Sequence, residues 1–316
     1  MASRSQQPII TITVILMMSV LLLIMRAASD LHSPLLFLVK ACLHYLASLT
    51  LIASVILALW RRSWLSSSTL ILVFVMQVPF LLPVLGAKHK SLQNDLTSNS
   101  KHLSVATFSA MTRTKNTNDI LTFIKNRQPE VFCIQEVPEP DREYLLEQLN
   151  GDYPYWKQNQ NNQITLSKYP IHTLEDVGQY QAMMLEHPVI GDIQLVNVHM
   201  PRPYRTQNVS QTWQELLALI EGNNASILCG DFNITPDNTL YEVLTQHLKF
   251  SDALTHGYGF TYPNSQRRSA IFGPLIRIDY LFSRNLTASK TETLNISNLS
   301  DHRAILSYFP VKGESQ

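Results

Sequence analysis

Five short segments carry residue types that could do chemistry. "SILCGDFNIT" (226–235) runs from apolar residues through Gly230 into Asp231 and Asn233. Residues two apart on an extended segment project to one face, so Asp231 and Asn233 point together and Phe232 turns away. A carboxylate acceptor beside an amide at a strand's end is half of a catalytic site. Gly, Asp and Asn are also ordinary turn residues, so only partners elsewhere favour chemistry. Such partners recur. "VFCIQEV" (131–137) carries Glu136 near its end, and "LVNVHM" (195–200) carries His199. "RIDYLF" (277–282) holds Asp279, and "SDHRAIL" (300–306) opens on Asp301 and His302. Each alone reads as a solvated strand end, a half-buried histidine or a turn acid. Five together, each beside a buried run, point to one site assembled at strand edges.

Those residues need elements to position them. "LSVATFS" (103–109), "VFCIQEV", "QITLSKYPI" (163–171), "IQLVNVHM" (193–200), "SILCGDFN", "RIDYLFS" and "RAILSYF" (303–309) read as strands. Residues 117–128, 141–150, 211–222 and 240–248 read as helices, the first stopped by Pro129. Many strands with interspersed helices predict an α/β protein built as a two-sheet sandwich faced by helices.

The first ninety residues differ in kind. Apolar runs cover 9–25, 35–60 and 69–86, each near the roughly 20 residues a helix needs to cross a bilayer. Residues 1–90 therefore read as a membrane region with about three transmembrane helices, 91–102 as a polar linker and 103–316 as the folded domain. Arg61 and Arg62 in a short loop place the N-terminus in the cytoplasm and the large domain on the non-cytoplasmic side. From residue 101 onward there are 18 basic and 22 acidic residues, a net of −4. This balance argues against tight non-specific nucleic-acid binding through bulk charge. Cys42, Cys133 and Cys229 sit in apolar runs without metal-ligand spacing, and they read as buried thiols with no disulfide framework.

The ordered set "QE" (135–136), "LSKYPI" (166–171), "NVHM" (197–200), "GDFN" (230–233), "TYP" (261–263), "RIDYLF" and "SDH" (300–302) resembles the endonuclease/exonuclease/phosphatase superfamily, with its DNase-I-like fold. The resemblance spans about residues 103–309. The multi-crossing N-terminus resembles the membrane-attached YafD-like branch. The resemblance implies a divalent cation, Mg²⁺ or Mn²⁺, held partly by Glu136 with Asp301 nearby. Asp231 would activate the attacking water, and Asn233 would help place the phosphate and that water. His302, fixed by Asp279, and His199 would contact the phosphate. One position departs from the family pattern: Ser109 stands where an asparagine usually supports the metal–phosphate cluster. A hydroxyl has shorter reach and no amide donor pair. Arg202 and Arg205 in "HMPRPYR" are candidate substrate contacts.

The implied function is a membrane-anchored, metal-dependent phosphodiesterase acting on nucleic acid or a phospholipid headgroup. The alternative is a catalytically weakened pseudoenzyme serving as a membrane-tethered binding module.

Overall fold

The computed structural model describes residues 7–31, 33–61, 63–85, 101–110, 117–202, 209–254, 259–264, 273–296 and 299–311. The chain divides into two compact units. The first contains helices α1 (Gln7–Ala27), α2 (Pro34–Ala41), α3 (Leu43–Arg61) and α4 (Trp64–Leu85). The apolar run at 35–60 is therefore two helices rather than one. α2 opens on Pro34, which has no N–H to leave unsatisfied, and Ser33 caps it by accepting from Leu36 N at 3.2 Å. It ends at Cys42, whose backbone leaves the helical region (φ −108°, ψ 1°) and donates back to Lys40 and Val39. Among the described residues, Ile9–Ala27 and Leu43–Arg61 are long and apolar enough to cross a membrane, and Trp64–Phe80 is a further apolar stretch within α4.

The same unit includes Thr235–Glu242. There Asp30 is buried, pairs with Lys40 at 3.5 Å and accepts from Thr239 N at 2.8 Å and from the Asn238 amide. A buried carboxylate needs such partners to offset its lost hydration.

The second unit is a sandwich of two six-stranded sheets. In the first, β1 (His102–Ser109) lies between β12 (Ala304–Pro310) and β2 (Val131–Gln135); β11 (Lys290–Leu294) and the pair β4 (Ile164–Ser167) and β3 (Tyr155–Gln158) extend it outward. In the second, β7 (Gly191–His199) and β8 (Ser226–Asp231) are central. Beside β7 lie β6 (Tyr180–His187) and β5 (Ile171–Asp176); beside β8 lie β10 (Asp279–Arg284) and β9 (Ser251–Asp252). Each sheet has one parallel pair at its centre, β1–β2 and β7–β8, within otherwise antiparallel pairing. "QITLSKYPI" is not one strand: β4 and β5 belong to different sheets, and the chain crosses between them at Lys168–Pro170. The helix expected over 240–248 is α8 (Thr239–Glu242) continued by a π-helical turn at Val243–His247.

Period-two alternation decides what faces the space between the sheets. Leu103, Val105, Val131, Cys133, Leu195, Ile227, Cys229, Leu281 and Ile305 fill it. The opposite face of the first sheet packs with α5 (Thr117–Arg127) and α6 (Glu139–Leu149) through Phe108, Phe132, Ile124 and Leu145. Trp213, from α7 (Val209–Leu219), meets Phe232 at 6.2 Å between ring centres, and Phe232 meets Phe282 at 5.2 Å. Cys133 and Cys229 form a disulfide across the sandwich, 96 residues apart in sequence, contrary to the expectation of buried free thiols. They stand on β2 and β8, and only the facing of the two sheets brings them together. Cys42 is free and exposed.

Candidate active site

The strands that are apolar at one end turn polar at the other, still on the inward face. Along β1, Leu103 and Val105 give way to Thr107 and Ser109; along β2, Val131 and Cys133 give way to Gln135. β7 continues Ile193 and Leu195 with Asn197 and His199, and β8 continues Ile227 and Cys229 with Asp231. Register then aligns the polar ends. His199 and Asp279 both pair with Asp231, and Ser109 pairs with Gln135.

Gly230 makes this approach possible. Its φ is +139°, and a Cβ there would lie 1.9 Å from the Val198 carbonyl oxygen, so any side chain would push β8 off β7 beside His199. Glu136 and Asn233 both adopt left-handed backbone conformations, φ 59° and 51°. Asparagine tolerates this region; for glutamate the conformation costs on the order of 1 kcal/mol. Both residues thereby turn out of their strands at the site's edge.

Asp231 is buried and clamped by Asn233. Its Oδ1 accepts from Asn233 N at 2.9 Å, and its Oδ2 accepts from Asn233 Nδ2 at 3.2 Å. Asn233 Nδ2 also donates to the Met200 carbonyl at 2.7 Å. Burial, then repulsion from Asp279, pushes the Asp231 carboxyl up to about 7. His302 is buried against Asp279, Nδ1 to Oδ2 at 2.9 Å. Burial works against its charge, but the Asp279 carboxylate outweighs burial and raises the imidazole to about 10. Tyr262 packs on this ring at 4.9 Å. Asp301 is buried, its Oδ1 4.0 Å from His302 Nε2.

His199 lies 3.4 Å from Glu136, both side chains about a quarter exposed (24% and 27%). Burial opposes the His199 charge; the hydrogen bond to Glu136 and the field of Asp231 reverse this and raise its pKa. The fields of Asp231 and His302 at His199 join the two halves into one electrostatic cluster. The structure thus gathers His199, Glu136, Asp231, Asn233, Asp279, Asp301 and His302. Ser109 is at the same end, fully buried, with an Oγ that has no hydrogen-bond partner among the described residues. Arg202 is partly exposed three residues beyond His199; Arg205 lies outside the described residues.

Several residues of this end escape a reading of the sequence. Gln135 donates to Asn197 Oδ1 at 2.7 Å and Thr107 Oγ1 at 3.1 Å; Asn197 donates in turn to the Ile164 carbonyl at 3.0 Å. Thr261 Oγ1 accepts from Ile278 N and Asp279 N, and Ser300 Oγ accepts from His302 N at 2.9 Å. Gln135, Asn197, Thr261 and Ser300 all lie within the motifs that carry the family resemblance, without a role assigned to them, and Gln135 and Asn197 also stand two residues beyond inward Cys133 and Leu195.

A divalent cation fits these donors. Four carboxyl groups crowd the end, and the repulsion of Asp279 adds to the burial that raises Asp231. Asp231, Asp279 and His302 bring possible ligand atoms within 4.8 Å of one another, but an imidazolium paired with Asp279 has no lone pair to give, which leaves the carboxylates as the donors. Glu136, partly exposed, offers the hard oxygen of an accessible carboxylate.

A sequence model described as the Endonuclease/Exonuclease/phosphatase family matches residues 97–302. An endonuclease/exonuclease/phosphatase from Bacteroides vulgatus aligns with a TM-score of 0.50 at 16% identity, over 67% of this chain and 100% of that one. A family protein from Leptotrichia buccalis C-1013-b gives 0.49 at 18%, over 66% and 99%. Sphingomyelinase C from Streptomyces griseocarneus gives 0.48 at 14%, also over 66% and 99%. No curated protein matches.

Proposed function

The chain belongs to the endonuclease/exonuclease/phosphatase family, and on that premise we propose that it is a membrane-anchored phosphodiesterase that cleaves its substrate with an activated water. The observation that carries this reading is the convergence of Asp231, held on both oxygens by Asn233, with the Asp279–His302 pair. Asp231 is the proton acceptor for the attacking water. A carboxyl near 7 matches that task at neutral pH, where strength as a base and availability balance. Asn233 acts as a positioning residue, since its N–H groups are directed at Asp231 and Met200. His302 remains charged at neutral pH, and its Nε2–H is the donor to a phosphate oxygen. Asp279 orients that ring and keeps it protonated. His199 donates from the other side.

Mg²⁺ or Mn²⁺, when bound, neutralises charge developing on the phosphoryl group. Glu136 and Asp301 are the residues assigned to hold it. The donor set supports this, because hard carboxylate oxygens suit such an ion.

Membrane attachment rests on the apolar segments Ile9–Ala27 and Leu43–Arg61, of which only 22% and 28% is buried. A core helix would be mostly covered, and a signal sequence accounts for the first segment but not the second. The Cys133–Cys229 disulfide supports placing the catalytic unit on the non-cytoplasmic side, where such bonds persist.

The test is hydrolysis of bis-p-nitrophenyl phosphate by the full chain in detergent, with Mg²⁺, Mn²⁺ or EDTA. Metal-dependent release of nitrophenol, absent in EDTA, is expected. A metal-bound protein that releases none is instead a binding module, the reading that the unpartnered Ser109 hydroxyl favours.

A further inference from the structure

Beside the catalytic cluster lies a cavity of about 550 Å³ lined by Glu139, Arg142, Asn159, Asn161, Asp176 and Gly178 among others. It adjoins the site through the backbone. Asn161 precedes Asn162, whose carbonyl accepts from Val137 N at 2.9 Å, one residue past Glu136. Gly178 precedes Gln179, whose carbonyl accepts from His199 N at 2.8 Å.

The wall is preorganised. Asn159, buried, donates to Gln163 Oε1 at 2.6 Å and Asp176 Oδ1 at 3.1 Å, and accepts from Asn161 N and Gln163 N. Gln163 then donates to the Asn197 carbonyl at 3.2 Å, and Asn197 is the acceptor for Gln135. A continuous line of hydrogen bonds therefore runs from the cavity to the residue before Glu136.

Arg142 is only 6% exposed. It donates to the Asn159 carbonyl; among the described residues it has no ion-pair partner, and its enclosed Nε has no hydrogen-bond partner. The guanidinium also forms part of the cavity wall, where it offers donors and no acceptor.

The lining selects among ligands. Glu139 and Asp176 outnumber Arg142, so a second phosphate is disfavoured. None of the described residues lining the cavity is aromatic, so the wall they form offers no cage for a quaternary ammonium. Carboxylates and amide oxygens that accept, opposite a guanidinium and amide groups that donate, match a neutral group whose hydroxyls do both. We infer that this cavity is a subsite for a polyhydroxylated alcohol esterified to the phosphate, such as a glycerol or inositol moiety. The inference rests on the proposed phosphodiesterase reading and names the substrate class of that site. It concerns binding only; the bond broken is the phosphodiester already assigned.

The test compares kcat/KM of the full chain on glycerophosphoglycerol, glycerophosphocholine and bis-p-nitrophenyl phosphate. A polyol preference over choline of at least about tenfold is expected, in keeping with loss of charge-assisted hydrogen bonds. Asn161→Leu and Asp176→Asn, both at exposed positions, should each lower the ratio of glycerophosphoglycerol to bis-p-nitrophenyl phosphate turnover by about tenfold. Equal use of polyol and choline diesters, or ratios unmoved by both variants, overturns the inference. Phosphatidylglycerol in mixed micelles, run beside glycerophosphoglycerol, distinguishes a lipid headgroup from a free diester. If bis-p-nitrophenyl phosphate is not cleaved at all, the phosphodiesterase reading fails separately. Saturation-transfer NMR with glycerophosphoglycerol then decides the subsite: binding lost in Asn161→Leu supports it, and no binding to the native chain overturns it.

Discussion

The space between the two sheets has an apolar end and a polar end, built by the same strands on the same face. At one end Val105, Val131, Leu195, Ile227 and Leu281 pack without a polar atom to satisfy. At the other, Thr107, Gln135, Asn197, Asp231 and Asp279 stand on those same strands, all buried. The contrast shows how a small chain keeps four carboxyl groups close together. The polar end is destabilising in isolation, since buried charge and carboxylate repulsion oppose folding. The apolar end and its disulfide hold the strands in register, so the polar end cannot relax by spreading. The proposed catalytic residues stand where the stabilising interactions stop, at the last residues of β7 and β8 and the first of β10.

This contrast predicts opposite phenotypes for substitutions a few residues apart on one strand. The largest effect belongs to the polar end. Asp231→Asn removes the proton acceptor and one of two repelling carboxylates. Turnover of bis-p-nitrophenyl phosphate should fall by about 10²–10⁴-fold while thermal stability holds or rises. A matching loss of folded protein would place Asp231 in the structural class instead.

Two residues back on β8, Cys229 should behave in the reverse way. Replacing Cys133 and Cys229 together by alanine opens a closed loop of nearly a hundred residues and should cost about 3–5 kcal/mol in chemical denaturation. Turnover per folded molecule should change little. A large catalytic loss with unchanged stability would erase the distinction between the ends.

Asp279→Asn probes the pair that keeps His302 charged. The imidazole is raised from 6.5 to about 10, so its contribution to stability is complete below about 6.5 and lost as pH rises through about 10. With asparagine in place the raising influence is gone. The alkaline limb of the rate profile should move toward neutrality, and the variant should lose stability relative to the native chain chiefly at acid and neutral pH. Proton NMR titration of His302 checks the assignment directly, and a ring unaffected by the substitution would refute it.

The smallest change is predicted at Ser109. Its hydroxyl has no hydrogen-bond partner among the described residues, so Ser109→Asn should place an amide there and lower the Mg²⁺ requirement by up to about tenfold. A higher requirement would mean that the pocket around Ser109 has closed to anything larger.

How much of this was readable from residues alone divides along the same line. The polar ends were legible because a carboxylate or histidine closing an apolar run is conspicuous: Glu136, His199, Asp231, Asp279 and His302 were found that way, and they do converge. The family resemblance placed the sandwich as well. Contacts between sheets were not legible. Cys133 and Cys229 each look like an ordinary buried thiol until two sheets stack. Gln135 and Asn197 look like isolated amides until they bond to each other. The crossing at Lys168–Pro170 does carry a signal, since Pro170 interrupts the run, but nothing local says that β5 joins the other sheet. The break at Cys42 has no proline or glycine to announce it, only a cap at Ser33 and the local geometry of Cys42 itself.

The central claim is that the polar end binds a divalent cation through Glu136 and uses it in hydrolysis. The most direct measurement is a Mg²⁺ titration of the native chain and of Glu136→Gln, following both thermal midpoint and turnover of bis-p-nitrophenyl phosphate. Asp231, raised from 3.8 to about 7, loses stability as pH climbs through that range, so a bound cation should stabilise the native chain more at pH 8 than at pH 5. In Glu136→Gln the midpoint should no longer respond at the same Mg²⁺, and turnover should fall by about 100-fold or more. A variant that keeps both the native metal response and the native rate would contradict the account.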